Sequence, residues 1–444
     1  MVFGFGKAKQ ETKAAAPAPA PAAVKPVAPG VASAVPAPSP IKRGWMPGQM
    51  QDWKLTVNKV IEHAHLNHGM REVVTRSVEG PIVRSNYSEL YWRARKCSNA
   101  LLADGVQMGD RIATLAWNTQ RHIETWYGTM CIGAILHTLN PRLFPEQIAW
   151  IINHAEDTHV FYDITFQPII EAIKDKGPSV KHWIVLTDAA HKPQSSIPNL
   201  RTYEEYIAGQ STDVVWGDFP EDTACGLCYT SGTTGDPKGV LYSHRSNIMH
   251  TMIGMQKDAI GIGAADTTLP VVPMFHANAW GLAFSGPATG SKLVLPGAKM
   301  DGESIYELLD GEQVTFTAAV PTVWLMLLQY LESTNKKLPH LKRVVIGGSA
   351  VPERILRAFE ENYEVEVVHA WGMTEMSPLG SLGSMTAGVI AQDHDTIIKY
   401  KLKQGRPPFG VEMKIIDDDN KELPHDGKSA GRLVVRGPAV SKAY

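Results

Sequence analysis

A short apolar strand that runs directly into a loop of hydroxyls and glycines constrains this chain more than any other feature. Ala224-Cys225-Gly226-Leu227-Cys228 reads as a buried strand, and Tyr229-Thr230-Ser231-Gly232-Thr233-Thr234-Gly235-Asp236-Pro237-Lys238-Gly239 follows it. A loop of this kind wraps phosphates. Its glycines lack a Cβ, so backbone N–H groups approach closely, hydroxyls donate hydrogen bonds, and Lys238 adds a positive charge. It is not a Walker A loop, which requires Gly, four residues and then Gly-Lys-Ser/Thr; counted from Gly232, that position falls on Pro237. An ordinary surface loop is the alternative, and the Pro-Lys-Gly exit argues against it.

Short apolar runs alternate with helical patterns along much of the chain, which argues for a parallel α/β architecture. Strands are expected at Ile112–Ala116, Val160–Tyr162, Trp183–Leu186, Thr268–Val272, Lys292–Leu295, Thr315–Val320 and Val344–Ile346. Helices are expected through Tyr91–Leu102 with Ser88 in the preceding segment capping its start, Ile123–Met130, Asn247–Gln256, and Pro352–Phe359 with proline in its first turn. From Gly405 the texture becomes hairpin-like: Val411–Ile416 alternates, Asp417–Asn420 is a turn, and Gly431–Arg436 follows. The resulting division is a tail over 1–43, an α/β core over 44–404 and a β-rich part over 405–444. The tail is rich in Ala and Pro, which forbids a regular helix and leaves no large apolar face to bury, so a semi-extended, disordered linker is expected.

Composition excludes several classes. The chain has 444 residues, 44% of them apolar and 20% charged, enough for a large core. Its net charge is −2, which gives no electrostatic case for nucleic acid. Four cysteines do not make a disulfide framework, and Cys225 and Cys228 are expected to be small core residues rather than a redox pair. No uncharged apolar run reaches the roughly 18 residues of a transmembrane helix, and the first ten residues lack the order of a secretory signal.

The phosphate-type loop closely resembles that of the adenylate-forming superfamily, which contains acyl-CoA synthetases, luciferase and peptide-synthetase adenylation domains. The likeness continues in order through Pro273-Met274-Phe275-His276-Ala277-Asn278-Ala279-Trp280, Gly347-Gly348-Ser349-Ala350 and Trp371-Gly372-Met373-Thr374-Glu375, and covers roughly Trp45 to Tyr444. It implies the large N-terminal domain of these enzymes: two α/β subdomains plus a small, here incomplete, β-barrel. The implied activity is ATP-dependent conversion of a carboxylic acid to an acyl-adenylate and then to acyl-CoA, with ATP, Mg2+ and coenzyme A as the cofactor set. Thr230, Ser231, Gly232, Thr233, Thr234, Gly235 and Lys238 would hold the phosphates, and Glu375 the magnesium. Thr374 would bond the α-phosphate or the substrate carboxylate. Trp371 and Gly372, with Gly348, Ser349 and Ala350 opposite, would enclose adenine. Thr234, Lys238, His276, Thr374 and Glu375 form the implied catalytic set.

His276 would approach the substrate carboxylate. Trp280 is similar to a gate on the acyl tunnel of long-chain ligases, with a core tryptophan as its rival reading. Met274, Ala277, Ala279, Gly281, Leu282 and Ala283 suggest an apolar acyl pocket. Met46–Trp53 and Gly133–Arg142 resemble fatty-acyl-CoA and methylthiopropionyl-CoA ligases, so a fatty acid or a short thioether acid is the expected substrate class. Such an enzyme is expected in the cytoplasm or peripheral to a membrane, with a homodimer as one assembly. Two departures stand out. Gly431-Arg432-Leu433 replaces the family's usual Gly-Glu-Leu, and the sequence ends at Tyr444, before the family's ribose-binding aspartate and C-terminal lysine. A truncated ligase is therefore one expectation, and a noncatalytic nucleotide-binding or interaction protein the alternative.

Overall fold

The computed structural model describes residues 48–230 and 236–444. The expectations for the 1–43 tail and for Ser231, Gly232, Thr233, Thr234 and Gly235 lie outside the described residues.

Two sheets organise the chain from Trp53 onward. The first has seven strands in the order Arg201–Thr202, His182–Val185, His159–Tyr162, Arg111–Leu115, Ile135–Thr138, Ala224–Thr230 and Lys238–Ser243. All neighbours are parallel except the last pair. The second has eight strands in the order Leu379–Leu382, Glu366–Gly372, Arg343–Ile346, Phe316–Ala319, Thr267–Pro270, Lys292–Leu295, Glu72–Arg76 and Ile82–Asn86. Its interior is parallel, and antiparallel strands close both edges. This is the α/β class expected. Between Gly405 and Tyr444, Glu412–Ile416 pairs antiparallel with Arg432–Arg436.

The two sheets share a core. One apolar cluster contains Leu136 and Cys225 of the first sheet, Leu293 and Val345 of the second, and Ile61, Leu90, Trp126 and Phe284 from helices between them. Each such side chain, fully removed from water, contributes about 1.5–3 kcal/mol. Helix Gln120–Met130 is buried along almost its whole length. It therefore carries polar groups with internal partners: Thr119 caps it, and His122 Nε2 lies 2.9 Å from Thr114 Oγ1.

Local signals were shifted at several ends. Asn86 caps helix Tyr87–Ala103 by accepting from Glu89 N–H, whereas Ser88 Oγ meets His65 Nδ1. Pro352 is the cap residue of a shorter helix, Glu353–Arg357, not part of its first turn. Strand Lys238–Ser243 was not foreseen; helix His244–Gly254 follows it, where a helix over Asn247–Gln256 was expected. All four cysteines are buried and free, and burial pushes the Cys225 thiol up to about 12, which leaves it an inert core residue. Among the described residues no helix is long and apolar enough to cross a membrane.

Candidate active site

Thr230 and Lys238 face each other as the last register pair between strands Ala224–Thr230 and Lys238–Ser243. This pair closes one end of the two edge strands of the first sheet. Thr230 Oγ1 donates to Lys238 O at 3.4 Å. Gly239 permits the close pairing: a Cβ there would stand 3.1 Å from Leu227 Cδ1 and 3.3 Å from Tyr229 Cζ.

The His276 segment leaves strand Thr267–Pro270 and enters an unusual turn. Ala277, Asn278, Ala279 and Trp280 all have positive φ, at 42°, 57°, 51° and 53°. Asn278 tolerates this conformation, but Ala277, Ala279 and Trp280 each store strain of about 1–2 kcal/mol there. Packing holds them: Ala277 and Ala279 are buried, and Asn278 Nδ2 donates to Asn247 Oδ1 at 3.3 Å. The turn aims the Trp280 indole at the exit of strand Arg343–Ile346, where a Cβ on Gly347 would lie 3.2 Å from Trp280 Cη2. Gly348, at φ +80°, makes the turn beyond.

Strand Glu366–Gly372 supplies Trp371, and its register with Leu379–Leu382 slips between Trp371 and Gly372. The Trp371 ring lies on Gly380, where a Cβ would come within 2.5 Å of Trp371 Cε3. Thr374 and Glu375 follow in a single tight turn, and Tyr242 Oη donates to Thr374 O at 2.7 Å.

These segments converge on one cavity of about 70 Å³ whose wall includes His276, Trp280, Gly348, Trp371, Gly372 and Thr374. Its apolar side is Ile260, Val345, Ala370, Leu379 and Leu382. That corrects the expected acyl pocket. Of Met274, Ala277, Ala279, Gly281, Leu282 and Ala283, only Ala277 lines the cavity; Met274, Ala279, Leu282 and Ala283 are core residues. Of these, only Ala277, Ala279 and Gly281 lie in the left-handed turn, and helix Leu282–Thr289 buries Leu282 and Ala283. Trp280 is half-buried and walls the cavity, so it is not simply a core tryptophan. Ser349 and Ala350 are exposed and do not contribute to this wall.

Lys238 and Glu375 meet elsewhere, around Tyr444. The Lys238 ammonium lies 4.9 Å from the centre of the Tyr444 ring, and the Tyr444 hydroxyl donates to Glu375 Oε1. Ser441 N–H holds the Glu375 carbonyl at 2.7 Å. An ammonium and a hard carboxylate oxygen thus flank the same Tyr444 ring, a donor set that suits a polyphosphate and its divalent cation.

A second cavity lies on the other side of His276 and Gly348, with Asn140 and Arg142 at its polar end. Desolvation, and then the Arg142 charge, push the His276 pKa below the usual value, so the imidazole is neutral at pH 7. His250, buried and pushed down to about 4, accepts from Leu379 N–H at 3.2 Å and so supports the apolar wall. Sequence reasoning missed Tyr242, His250 and Tyr444, as well as Val345, Leu379 and Leu382. The three aliphatic residues carry only an ordinary strand signal.

Residues 61–444 match the model of the family described as AMP-binding enzyme. The chain is 46% identical over 399 residues to the 3-methylmercaptopropionyl-CoA ligase of Ruegeria lacuscaerulensis, covering 90% of this chain and 74% of that protein. It is 45% identical to the medium-chain-fatty-acid–CoA ligase of Ectopseudomonas oleovorans, with 90% and 73% covered. It is 41% identical to the long-chain-fatty-acid–CoA ligase of Thermus thermophilus, with 90% and 72% covered. Among solved structures, the anthranilate CoA ligase AuaEII in complex with anthranoyl-AMP superposes with a TM-score of 0.76 at 22% identity, covering 87% of this chain and 71% of that one. The N-terminal domain of FACL13 from Mycobacterium tuberculosis gives 0.75 at 23%, with 88% and 90% covered. At that identity the two structures speak for the fold.

Proposed function

Because the chain belongs to the AMP-binding enzyme family, we propose that it activates a carboxylic acid with ATP and transfers the acyl group to coenzyme A. The observation that carries this reading is the single cavity on which His276, Trp280, Gly348, Trp371 and Thr374 converge. A carboxylate is a poor acyl donor, because its charge is delocalised and oxide leaves badly. In the first step the carboxylate oxygen attacks the α-phosphorus; a P–O bond forms, the bond to pyrophosphate breaks, and an acyl-adenylate results. In the second, a thiolate attacks the acyl carbon and AMP leaves with the bonding pair.

The protein's part is to orient the reactants and neutralise charge. Lys238, Thr230 and the hydroxyls of Ser231, Thr233 and Thr234 take the polyphosphate, with Gly232 and Gly235 admitting it to the backbone. Trp371, Gly372 and Gly348 frame the base; Ser349 and Ala350 extend that side. Thr374 bonds the reacting phosphate or carboxylate, and neutral His276 meets the carboxylate without forming a competing ion pair. Glu375 would hold Mg2+, which supplies charge neutralisation across the phosphates when bound.

The substrate class proposed is a fatty acid or a short thioether acid such as 3-methylthiopropionate. No Asp, Glu, Lys or Arg is among the described residues of the cavity wall. The proposal extends to a cytoplasmic or membrane-peripheral location, a homodimer and no nucleic-acid partner. It also keeps the division into tail, α/β core and β-rich part.

The test is mass-spectrometric assay of acyl-adenylate and acyl-CoA across acids from short to long chains. Trp280→Ala is expected to move preference toward longer chains by about fourfold for each added methylene that becomes buried, since each is worth about 0.8 kcal/mol. Equal loss at every length together with a lower melting temperature would refute the gate role. Absence of any acyl-adenylate would refute the ligase reading.

A further inference from the structure

We propose that Asn118 is a positioning residue for the acid-binding side of this site, its carboxamide fixing the segment that delivers His276. This rests on the ligase reading above. Asn118 is fully buried and stands just past strand Arg111–Leu115 of the seven-stranded sheet. Its side chain crosses to the other sheet. Nδ2 donates to Pro270 O at 2.7 Å and to Val272 O at 2.9 Å, and Oδ1 accepts from Met274 N–H at 2.7 Å.

All three partners lie on the stretch between the end of strand Thr267–Pro270 and His276. Ladder pairing of that strand stops at Pro270. Beyond it, Val272 N–H still donates to Ala318 O at 2.8 Å, while Val272 O and Met274 N–H are met by this one side chain. Only a carboxamide offers two donors and an acceptor in one plane, so Asp or Leu of similar size fails where Asn succeeds.

Asn118 is itself held firmly. Its carbonyl accepts from Gly297 N–H at 3.1 Å. The preceding Trp117 donates its N–H to Asp163 Oδ2 at 2.6 Å and its indole N–H to Thr165 Oγ1 at 3.0 Å, while His122 Nδ1 meets its carbonyl at 2.9 Å. The Trp117 ring also packs edge-on against Phe275, at 6.0 Å between centroids. The dipeptide is therefore a fixed grip from the first sheet on residues 270–275. His276 and the strained turn begin where the grip ends, so a shift in the grip passes directly to His276 and Trp280. Lys238, Thr374 and Glu375 are borne on other segments. Loss of the grip should separate acid handling from ATP binding, which a general loss of stability would not do.

The experiment compares the full chain with its Asn118→Asp variant, which removes both donors and sets a carboxylate against two carbonyl oxygens. Acid-dependent pyrophosphate exchange, ATP calorimetry and hydrogen exchange across residues 270–280 are measured together. The expected result is a fall of at least about tenfold in kcat/KM for the acid, an ATP affinity within about twofold of wild type, and faster exchange confined to 270–280. An unchanged kcat/KM, or equal losses in acid turnover, ATP affinity and melting temperature, would overturn the proposal. If Asn118→Asp does not accumulate folded, Asn118→Ser, which keeps one hydroxyl partner, is read the same way. A wild-type chain without exchange activity toward any acid counts against the ligase reading alone. Hydrogen exchange across 270–280 then decides Asn118, and no change there overturns it.

Discussion

Ala279→Gly isolates the strain in the turn that carries Trp280. At an ordinary buried position this substitution costs about 0.5–1 kcal/mol of backbone entropy and about 0.8 kcal/mol for the lost methyl, close to 1.5 kcal/mol in total. Ala279 is fully buried, so the methyl term applies in full. It also sits at φ 51°, where a Cβ costs about 1–2 kcal/mol that glycine does not incur. The two contributions nearly cancel, and the expected net change is within about 0.5 kcal/mol of zero. Urea unfolding followed by far-UV circular dichroism measures it, with the buried, right-handed Ala100 of helix Tyr87–Ala103 changed to glycine as the reference. A destabilisation at Ala279 equal to that at Ala100 would refute the claim that the turn is strained. The same variant relaxes the strained backbone immediately before Trp280, so acid chain-length selectivity should broaden even though stability does not fall.

Glu375→Gln should leave the melting temperature unchanged and raise the magnesium concentration needed for half-maximal pyrophosphate exchange by about tenfold or more, because an amide is a poorer ligand for a hard cation; wild-type magnesium dependence would remove Glu375 from the site. Stability should fall on acidification from about pH 6.5 toward pH 4, because burial holds His122 and His250 near 4 and the unfolded chain binds protons that the folded chain refuses. His250 alone accounts for about 3 kcal/mol across that window at about 1.36 kcal/mol per pKa unit. His250→Gln, which still accepts from Leu379 N–H but does not titrate, should flatten the dependence of the melting temperature on pH. An identical slope would refute the assignment. Asp163, raised to about 8 by burial, acts with the opposite sign in both proteins and drops out of the comparison.

The local chemistry of this chain was legible in one dimension. Strands such as Lys292–Leu295 announce themselves as short apolar runs, and the segments around Lys238, His276, Gly348, Trp371 and Glu375 are each contiguous strings whose composition suits phosphate or acid handling. What the string does not carry is the direction of side chains and the meeting of distant segments. Ala279 and Leu282 read as pocket residues because small and apolar side chains suit a pocket. Both are buried in the core instead, and in the run of positive φ values from Ala277 to Gly281 only the last position is a glycine, so the four before it carry no signature. The apolar wall comes from Val345, Leu379 and Leu382, whose pattern is that of any buried strand. Asn118 shows the limit most clearly. Its partners lie about 150 positions away in sequence, and a buried carboxamide acquires its role only when two sheets, packed through a common core, bring backbone groups at and beyond the end of a strand within its reach. Propensity and motif are local properties fixed by the chain; which buried polar groups must satisfy one another is fixed only by tertiary packing.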